Sequence, residues 1–548
     1  MAEAHRRGPE LTGTWRLVRL AGRRDRILLP VWLVVLLGLL AGSMASIAAL
    51  YPTEADRLQY AQLAATNLVA RAFDGLMSGT SLGAVVMTEV FTVLALLTGI
   101  MSLQAVVRHT RLEEETGRAE LVDAAVVGRH ARLVAAVVVA LVANLVLAIG
   151  TALVLIAAGL PTAGSVLAGL ALAGVGGTFA AVAAVTAQVV GSARGANGLG
   201  GLVLGVAFLL RALGDALGTV EPSGVEVVSA WPSWLSPIGW GQQVRPFGGD
   251  QTGPLVLFLG AVAALLVASF VLASHRDHGA GLRAERPGPA RASRALTSPA
   301  GLAWRLQRGA LRGWTLGLAV LAAAFGGIAD EVEELLETSD ELVALLGEGA
   351  AGDVLLDLYA AFMFALLGLA VAAYLVQALL RVRTEEAGYR AEPVLATPVS
   401  RARYLGAHVG LAAAGAGVIL VVLGLVSGTV AGLVTGAWGA RFGDWVLAAV
   451  VQFPAVLVIG GVVVAVVGWL PRFAVPLGWA VLVASLILGQ FGALFELPQP
   501  VLNLSPFTHV PPAPAEDVRA LPLLVLLAVA TTLTVAGFLG FRRRDLTT

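Results

Sequence analysis

The chain has 548 residues, 57% of them hydrophobic and only 13% charged, with a mean hydropathy of +0.84. A soluble domain carries about 25% charged residues, so this composition excludes a soluble enzyme or binding module and requires a membrane protein. Acidic and basic residues balance at 36 each, yet Lys and Cys are both absent. P-loop nucleotide hydrolysis and Schiff-base chemistry, which need Lys, are excluded, as are disulfides and thiol-ligated metals.

Residues 1–26 are polar and Arg-rich. At helical spacing Leu11, Trp15, Val18 and Ala21 share one side and Arg16, Arg19, Arg23 and Arg26 an adjacent one, which predicts a short interfacial helix. This leader is too charged, and the apolar run after it too long, for a cleaved signal peptide, so the segment is expected to stay. Crossing a ~30 Å hydrocarbon layer takes about 20 helical residues. Apolar runs of that size lie at 27–50, 82–106, 131–158, 163–190, 196–217 and 254–274, and again at 313–329, 354–380, 404–434, 443–470, 474–495 and 520–541. The expectation is an all-α polytopic membrane protein of twelve transmembrane helices in two six-helix repeats, 1–274 and 301–548, joined by an Arg-, Gly- and Pro-rich linker at 275–300. An even number of spans in each repeat makes the two parallel, related by an axis along the membrane normal, with the pathway expected between them.

The duplication is visible in the residues. Arg111 to Arg129 reads RLEEETGRAELVDAAVVGR, and Arg383 to Arg401, 272 residues later, reads RTEEAGYRAEPVLATPVSR, with ten matches and no gap. Leu235-Ser236-Pro237 before the sixth span likewise answers Leu504-Ser505-Pro506 before the twelfth. Alternate loops hold 30 of the 36 arginines and the opposite loops only Arg57, Arg71, Arg245, Arg441 and Arg519. The positive-inside rule therefore puts both termini and both copies of the repeated loop in the cytoplasm of a multi-pass inner (plasma) membrane protein. Nine carboxylates from Asp330 to Asp353 fall on the other face, a solvated outer cluster.

Charges within spans are costly and draw attention to themselves. Arg211 and Asp215, four apart on one face of the fifth span, read as a local ion pair or as snorkelling side chains. Glu89 in the second span and Asp357 in the eighth give each half one carboxylate that either lines a substrate pathway or bonds between helices. Gly424, Gly428 and Gly432 form a small-residue packing ridge, and Pro454 is expected to kink the tenth span. The stretch Trp231, Trp234, Ser236, Pro237, Trp240 suits the outer membrane interface. Gly79-Thr80-Ser81-Leu82-Gly83 fits the nucleophile-elbow pattern but opens a span without the strand-to-helix turn, and the seven His form no metal motif, so no catalytic residue and no metal site is assigned.

The run Glu385, Glu386, Gly388, Ala391, Glu392, Leu395 to Pro398 and Ser400-Arg401 resembles the loop between the second and third helices of type 2 ATP-binding-cassette (ABC) exporter permeases. The whole chain, with its opening LTGTWRLVRLAGRRDRILLPVW and the stretch WLSPIGWGQQVRPF, resembles the fused twelve-span branch of actinobacterial permeases for polyketide antibiotics and other drugs, with a type V exporter fold. That resemblance implies a permease subunit without enzymatic activity of its own, working with two copies of a separate ATPase that carries the ATP and Mg; the chain itself binds no cofactor and no nucleic acid. It implies lipophilic small-molecule substrates in a lipid bilayer. It also implies that each repeated loop carries a short coupling helix: in the first copy Leu121, Val122, Ala125 and Val126 as a small apolar knob, Glu113, Glu114, Glu115 and Arg118 as the charged rim around it and Glu120 beside them, and in the second copy Glu385, Glu386, Arg390, Glu392, Val394 and Leu395. Trp234, Ser236, Pro237, Ser505 and Pro506 become candidates for an outer gate. The first copy departs from the pattern: Ala125-Val126 stand for Thr397-Pro398, and Gly117 sits one place off Gly388, so the two docking sites are expected to be unequal.

A second reading, a proton-coupled secondary carrier of the major facilitator kind, also has two parallel sets of six spans and a basic central loop. It wants titratable groups in the bundle, where an ATP-driven pump wants paired docking loops. Two matched acidic loops against four intramembrane charges favour the pump.

Overall fold

The computed structural model describes residues 10–276, 281–282, 290–291, 293–327, 329, 350–436, 438–491 and 498–545. Within them twelve helices are long and apolar enough to cross a membrane. The only other regular structure among the described residues, short helices aside, is a two-residue antiparallel pairing of Thr219–Val220 with Val227–Val228. The protein is an all-α polytopic membrane protein. Residues 330–349 of the acidic cluster, and 277–280, 283–289 and 292 of the linker, lie outside the described residues.

The chain divides into two compact units, Met1–Pro287 and Gly288–Thr548. In the first, the spans are Leu28–Leu50, Leu82–Glu115, Ala131–Ala157, Thr162–Val189, Ala193–Ala216 and Gly253–Ser274. The second and fourth of these are the most buried and carry the core around Phe91, Val175 and Phe179, while the sixth is the least buried, as a helix with one side to lipid should be. A separate helix, Thr14–Arg24, precedes the first span and packs on the third, with Trp15, Arg16 and Arg19 turned outward.

The second unit repeats the order with Pro299–Gly327, Val354–Ala387, Arg401–Val434, Phe442–Trp469, Pro471–Gly489 and Ala520–Arg543. Its core surrounds Phe364, Tyr374 and Trp445. The seventh span begins 14 residues before the apolar run from 313, because a single helix from Pro299 joins the interfacial part to the span where the first unit uses two helices. The tenth span is broken at Gln452, and Pro454 sits in the first turn of the helix Phe453–Trp469, where its missing N–H costs nothing. The glycine ridge of the ninth span packs on the tenth: a Cβ on Gly424 would come within 2.7 Å of Val446 Cα.

Candidate functional site

The repeated loop is built differently in the two units. In the first, the second-span helix stops at His109, a short helix Arg111–Glu115 follows, Gly117 turns with φ 71, and Arg118–Asp123 forms a second short helix. In the second, the helix runs unbroken to Ala387, Tyr389 turns with φ 56, and Ala391–Leu395 is the short helix. Gly117 and Tyr389 are 272 residues apart. The left-handed turn therefore keeps its register, while the glycine of the second copy, Gly388, stands one residue before it.

The acidic pairs face inward instead of forming an exposed rim. Glu113 meets Arg24 of the N-terminal helix at 2.7 Å and Arg118 at 3.9 Å. Glu114 is held by Arg111 at 2.5 Å, Arg132 at 3.4 Å and Arg276 at 2.6 Å. Glu385 pairs with Arg381 at 2.7 Å and Arg390 at 2.8 Å, and Glu386 with Arg383 at 3.4 Å and Arg544 at 2.6 Å. A buried carboxylate needs such partners, and each loop is surrounded by arginines of its own unit.

Each loop exposes a large apolar or aromatic side chain beside single charges. Leu121 and Val126 are 79% and 81% exposed, beside Glu120 and Arg118, with Val122 half-buried. In the second loop Val394 and Leu395 are half-buried against the core, and Tyr389, at 59%, is the exposed large side chain, flanked by Arg390 and Glu392. The N-terminus adds a further difference. Gly128 N donates to Thr12 O at 2.9 Å, and a Cβ on Gly128 would lie 2.1 Å from Glu10 O, so only glycine admits that segment. Its counterpart in the second copy is Ser400, whose Oγ instead accepts from Arg403 N and caps the ninth span.

The two intramembrane carboxylates have different neighbours. Half-buried Glu89 lies beside Tyr60 and Asp74, whereas half-buried Asp357 has Asp444 nearby. Burial first, and then the Glu89 carboxylate, push Asp74 up to about 7, and burial raises the Tyr60 phenol. Arg211 and Asp215 are fully buried and paired at 3.5 Å, with the guanidinium donating to the carbonyls of Arg71 and Phe73 and Ser229 donating to Asp215 at 2.6 Å. They form a local ion pair without snorkelling.

Trp231–Leu235 is a single 3₁₀ segment, and Ser236 caps a short helix, Pro237–Gln243, by accepting from Ile238 N and Gly239 N. The Trp240 indole donates to Trp234 O at 2.6 Å. In the second unit Ser505 donates to Ser485 O at 3.2 Å, and Pro506 opens a 3₁₀ turn, Pro506–His509.

Sequence reasoning missed Arg24, Asp25, His109, Arg276 and Arg544. Asp25 meets His109 at 2.5 Å and Arg108 at 3.3 Å, tying the N-terminal helix to the end of the second span. One signal was available, since Trp15 to Arg19 reads WRLVR and Trp304 to Arg308 reads WRLQR, marking the same interfacial start in both halves.

Twelve spans in two six-helix units, with a matched charged loop after the second span of each, define a multi-pass permease. Residues 296–542 match the family described as multidrug efflux system permease Rv1217c, C-terminal domain. The whole chain is 40% identical to the multidrug efflux system permease protein Rv1217c of Mycobacterium tuberculosis (strain ATCC 25618 / H37Rv), over 99% of this chain and 97% of that protein. The chain belongs to this permease family, in keeping with its likeness to ABC exporter permeases.

Proposed function

We propose that this chain is the membrane-spanning subunit of an ATP-driven exporter of lipophilic drugs or antibiotics, sitting in the plasma membrane with both termini in the cytoplasm. Two copies of a separate ATPase, carrying the ATP and Mg, dock on its two repeated loops. The observation that carries this reading is the construction of those loops: in each, an acidic pair is neutralised inside the unit, and large side chains stand exposed on or beside the short helix, Leu121 on it and Val126 just past it in one, and Tyr389 at the turn before it in the other. Exposed apolar side chains with a charged surround are the make-up of a docking patch. The arginine-rich ends of both units support a cytoplasmic face for the loops by the positive-inside rule, the side on which an ATPase would meet them. The efflux role of the 40%-identical relative supports a drug as the cargo.

The ATPase-docking reading is tested by co-expressing the chain with a candidate ATPase and measuring the mass of the detergent-solubilised complex. One permease chain with two ATPase chains is expected. Two permease chains per two ATPases, or no complex with any ATPase of the host, would overturn it. The proton-coupled alternative rests on one observation, the Asp74–Glu89 pair; uptake into inside-out vesicles driven by an imposed pH gradient without ATP, and lost in Glu89→Gln, would establish it instead.

A further inference from the structure

In each unit the repeated loop is fastened at both of its ends to the end of the last span. The first fastening is ionic. Arg276, just past the sixth-span helix Gly253–Ser274, donates Nη2 to Glu114 Oε1 at 2.6 Å and Nη1 to Oε2 at 2.8 Å. Arg544, just past Ala520–Arg543, donates Nη2 to both oxygens of Glu386, at 2.6 and 2.9 Å.

The second fastening uses the helix terminus. Arg129 and Arg401, the last residues of the two 19-residue copies, reach the same places. Arg129 Nη2 donates to the carbonyls of Ala273 and Ser274 at 3.1 and 2.9 Å, and Arg401 Nη1 donates to those of Arg542 and Arg544. The last carbonyls of a helix lack intrahelical donors and carry its negative dipole end, so a guanidinium is their natural partner.

These contacts recur although the loops around them have diverged. The break at Thr110, the residue at the left-handed turn and the use of the position shared by Gly128 and Ser400 all differ between copies, while the acid-to-arginine and arginine-to-carbonyl contacts do not. Burial gives them strength. The Glu386 side chain is 3% exposed and that of Arg544 12%, so parting them would strand a charge away from water, whereas an exposed pair would slip at little cost.

We propose that Arg276 and Arg544 are positioning residues that make each loop and the last span of its unit one rigid lever, so that a push on the loop is delivered to the sixth and twelfth spans. The proposal rests on the docking of an ATPase at these loops. Neither arginine has to touch substrate or nucleotide for this role.

The test uses the permease–ATPase complex in proteoliposomes and reads three quantities: ATPase retained, ATP hydrolysed, and substrate exported per ATP. Arg544→Gln and Arg276→Gln should keep the ATPase and its hydrolysis but lower export per ATP by about fivefold or more, the size of an ordinary coupling between sites. The chain has no cysteine, so Glu386→Cys with Arg544→Cys introduces the sole thiol pair. Unbridged, this double variant should uncouple like Arg544→Gln; joined by a rigid phenylene bismaleimide, it should regain export per ATP. Unchanged export per ATP in both Gln variants, or loss of export on bridging, would overturn the lever. If Arg544→Gln fails to fold, the bridged pair, which leaves no buried charge of the Glu386–Arg544 pair behind, decides the matter. An unmodified permease that retains no ATPase would instead sink the docking reading, and the lever with it.

Discussion

Tyr389 takes the left-handed backbone of Gly117, its counterpart 272 residues earlier, with φ 56 against 71. A side chain in that conformation costs about 1–2 kcal/mol, which a glycine avoids. Tyr389 is 59% exposed, so little packing is lost with it. Tyr389→Gly is therefore expected to raise the thermal midpoint of the detergent-solubilised protein or leave it unchanged, and Gly117→Tyr to lower it. A fall with Tyr389→Gly would mean that contacts of the ring outweigh the strain of its backbone.

The exposed knob of the first loop should behave as an interface. Leu121→Asp with Val126→Asp changes two side chains that touch little of their own unit. Partner binding should weaken by about tenfold or more, a loss of ~1.4 kcal/mol that one central apolar contact can carry, with the thermal midpoint of the free permease unmoved. Reversing Glu113 and Glu114 is the contrasting experiment: it sets like charges against Arg24, Arg111 and Arg276 and should lower the midpoint directly. Equal ATPase affinity for the Leu121/Val126 variant, measured by titration against immobilised permease, would remove the first loop from the interface.

Arg211 and Asp215 make a buried pair in which removal of one partner leaves the other uncompensated. Arg211→Leu is expected to cost about 3–5 kcal/mol, and Arg211→Leu with Asp215→Leu markedly less than either single change. Chemical unfolding of the three variants in one detergent checks this. Additive losses would show that the two side chains act independently.

Asp74 gives a pH dependence with a definite sign. Burial and Glu89 raise its carboxyl from 3.8 to about 7, so between those values the folded state holds a proton that the unfolded state has released. The neutral carboxyl fits its site below pH 3.8, and stability drains away as the pH rises toward 7, by up to about 4 kcal/mol. Tyr60 and Glu89 face Asp74 from neighbouring elements, and Arg211 opposes the shift. Asp74→Asn should therefore be more stable than the unmodified protein at pH 8 and about equal to it at pH 4. A midpoint difference that is the same at both pH values would show that Asp74 does not titrate in this range.

The sequence by itself determined the number of spans, their halves and the alternation of charge, because each depends only on local composition: twenty apolar residues form one span wherever they fold, and arginines cluster by loop. It determined also that the loops at 111–129 and 383–401 are copies, through ten matched residues. It did not reveal which way the acidic pairs turn. Glu113, Glu114, Glu385 and Glu386 read as an exposed rim, since a run of charges in a loop is ordinarily solvated; the fold brings Arg24, Arg276 and Arg544 to them from 89, 162 and 158 residues away and buries them. Nor did spacing show that Glu89 and Asp357, at comparable but not identical depth in matching spans, keep different company, Tyr60 and Asp74 on one side and Asp444 on the other. Those partners lie on other helices and loops, and only packing decides which face of a span meets which neighbour. The register of the left-handed turn shows the same division: the glycine in the sequence of the second copy is Gly388, and the backbone turns at Tyr389, because the unbroken helix to Ala387 fixes where the chain must reverse.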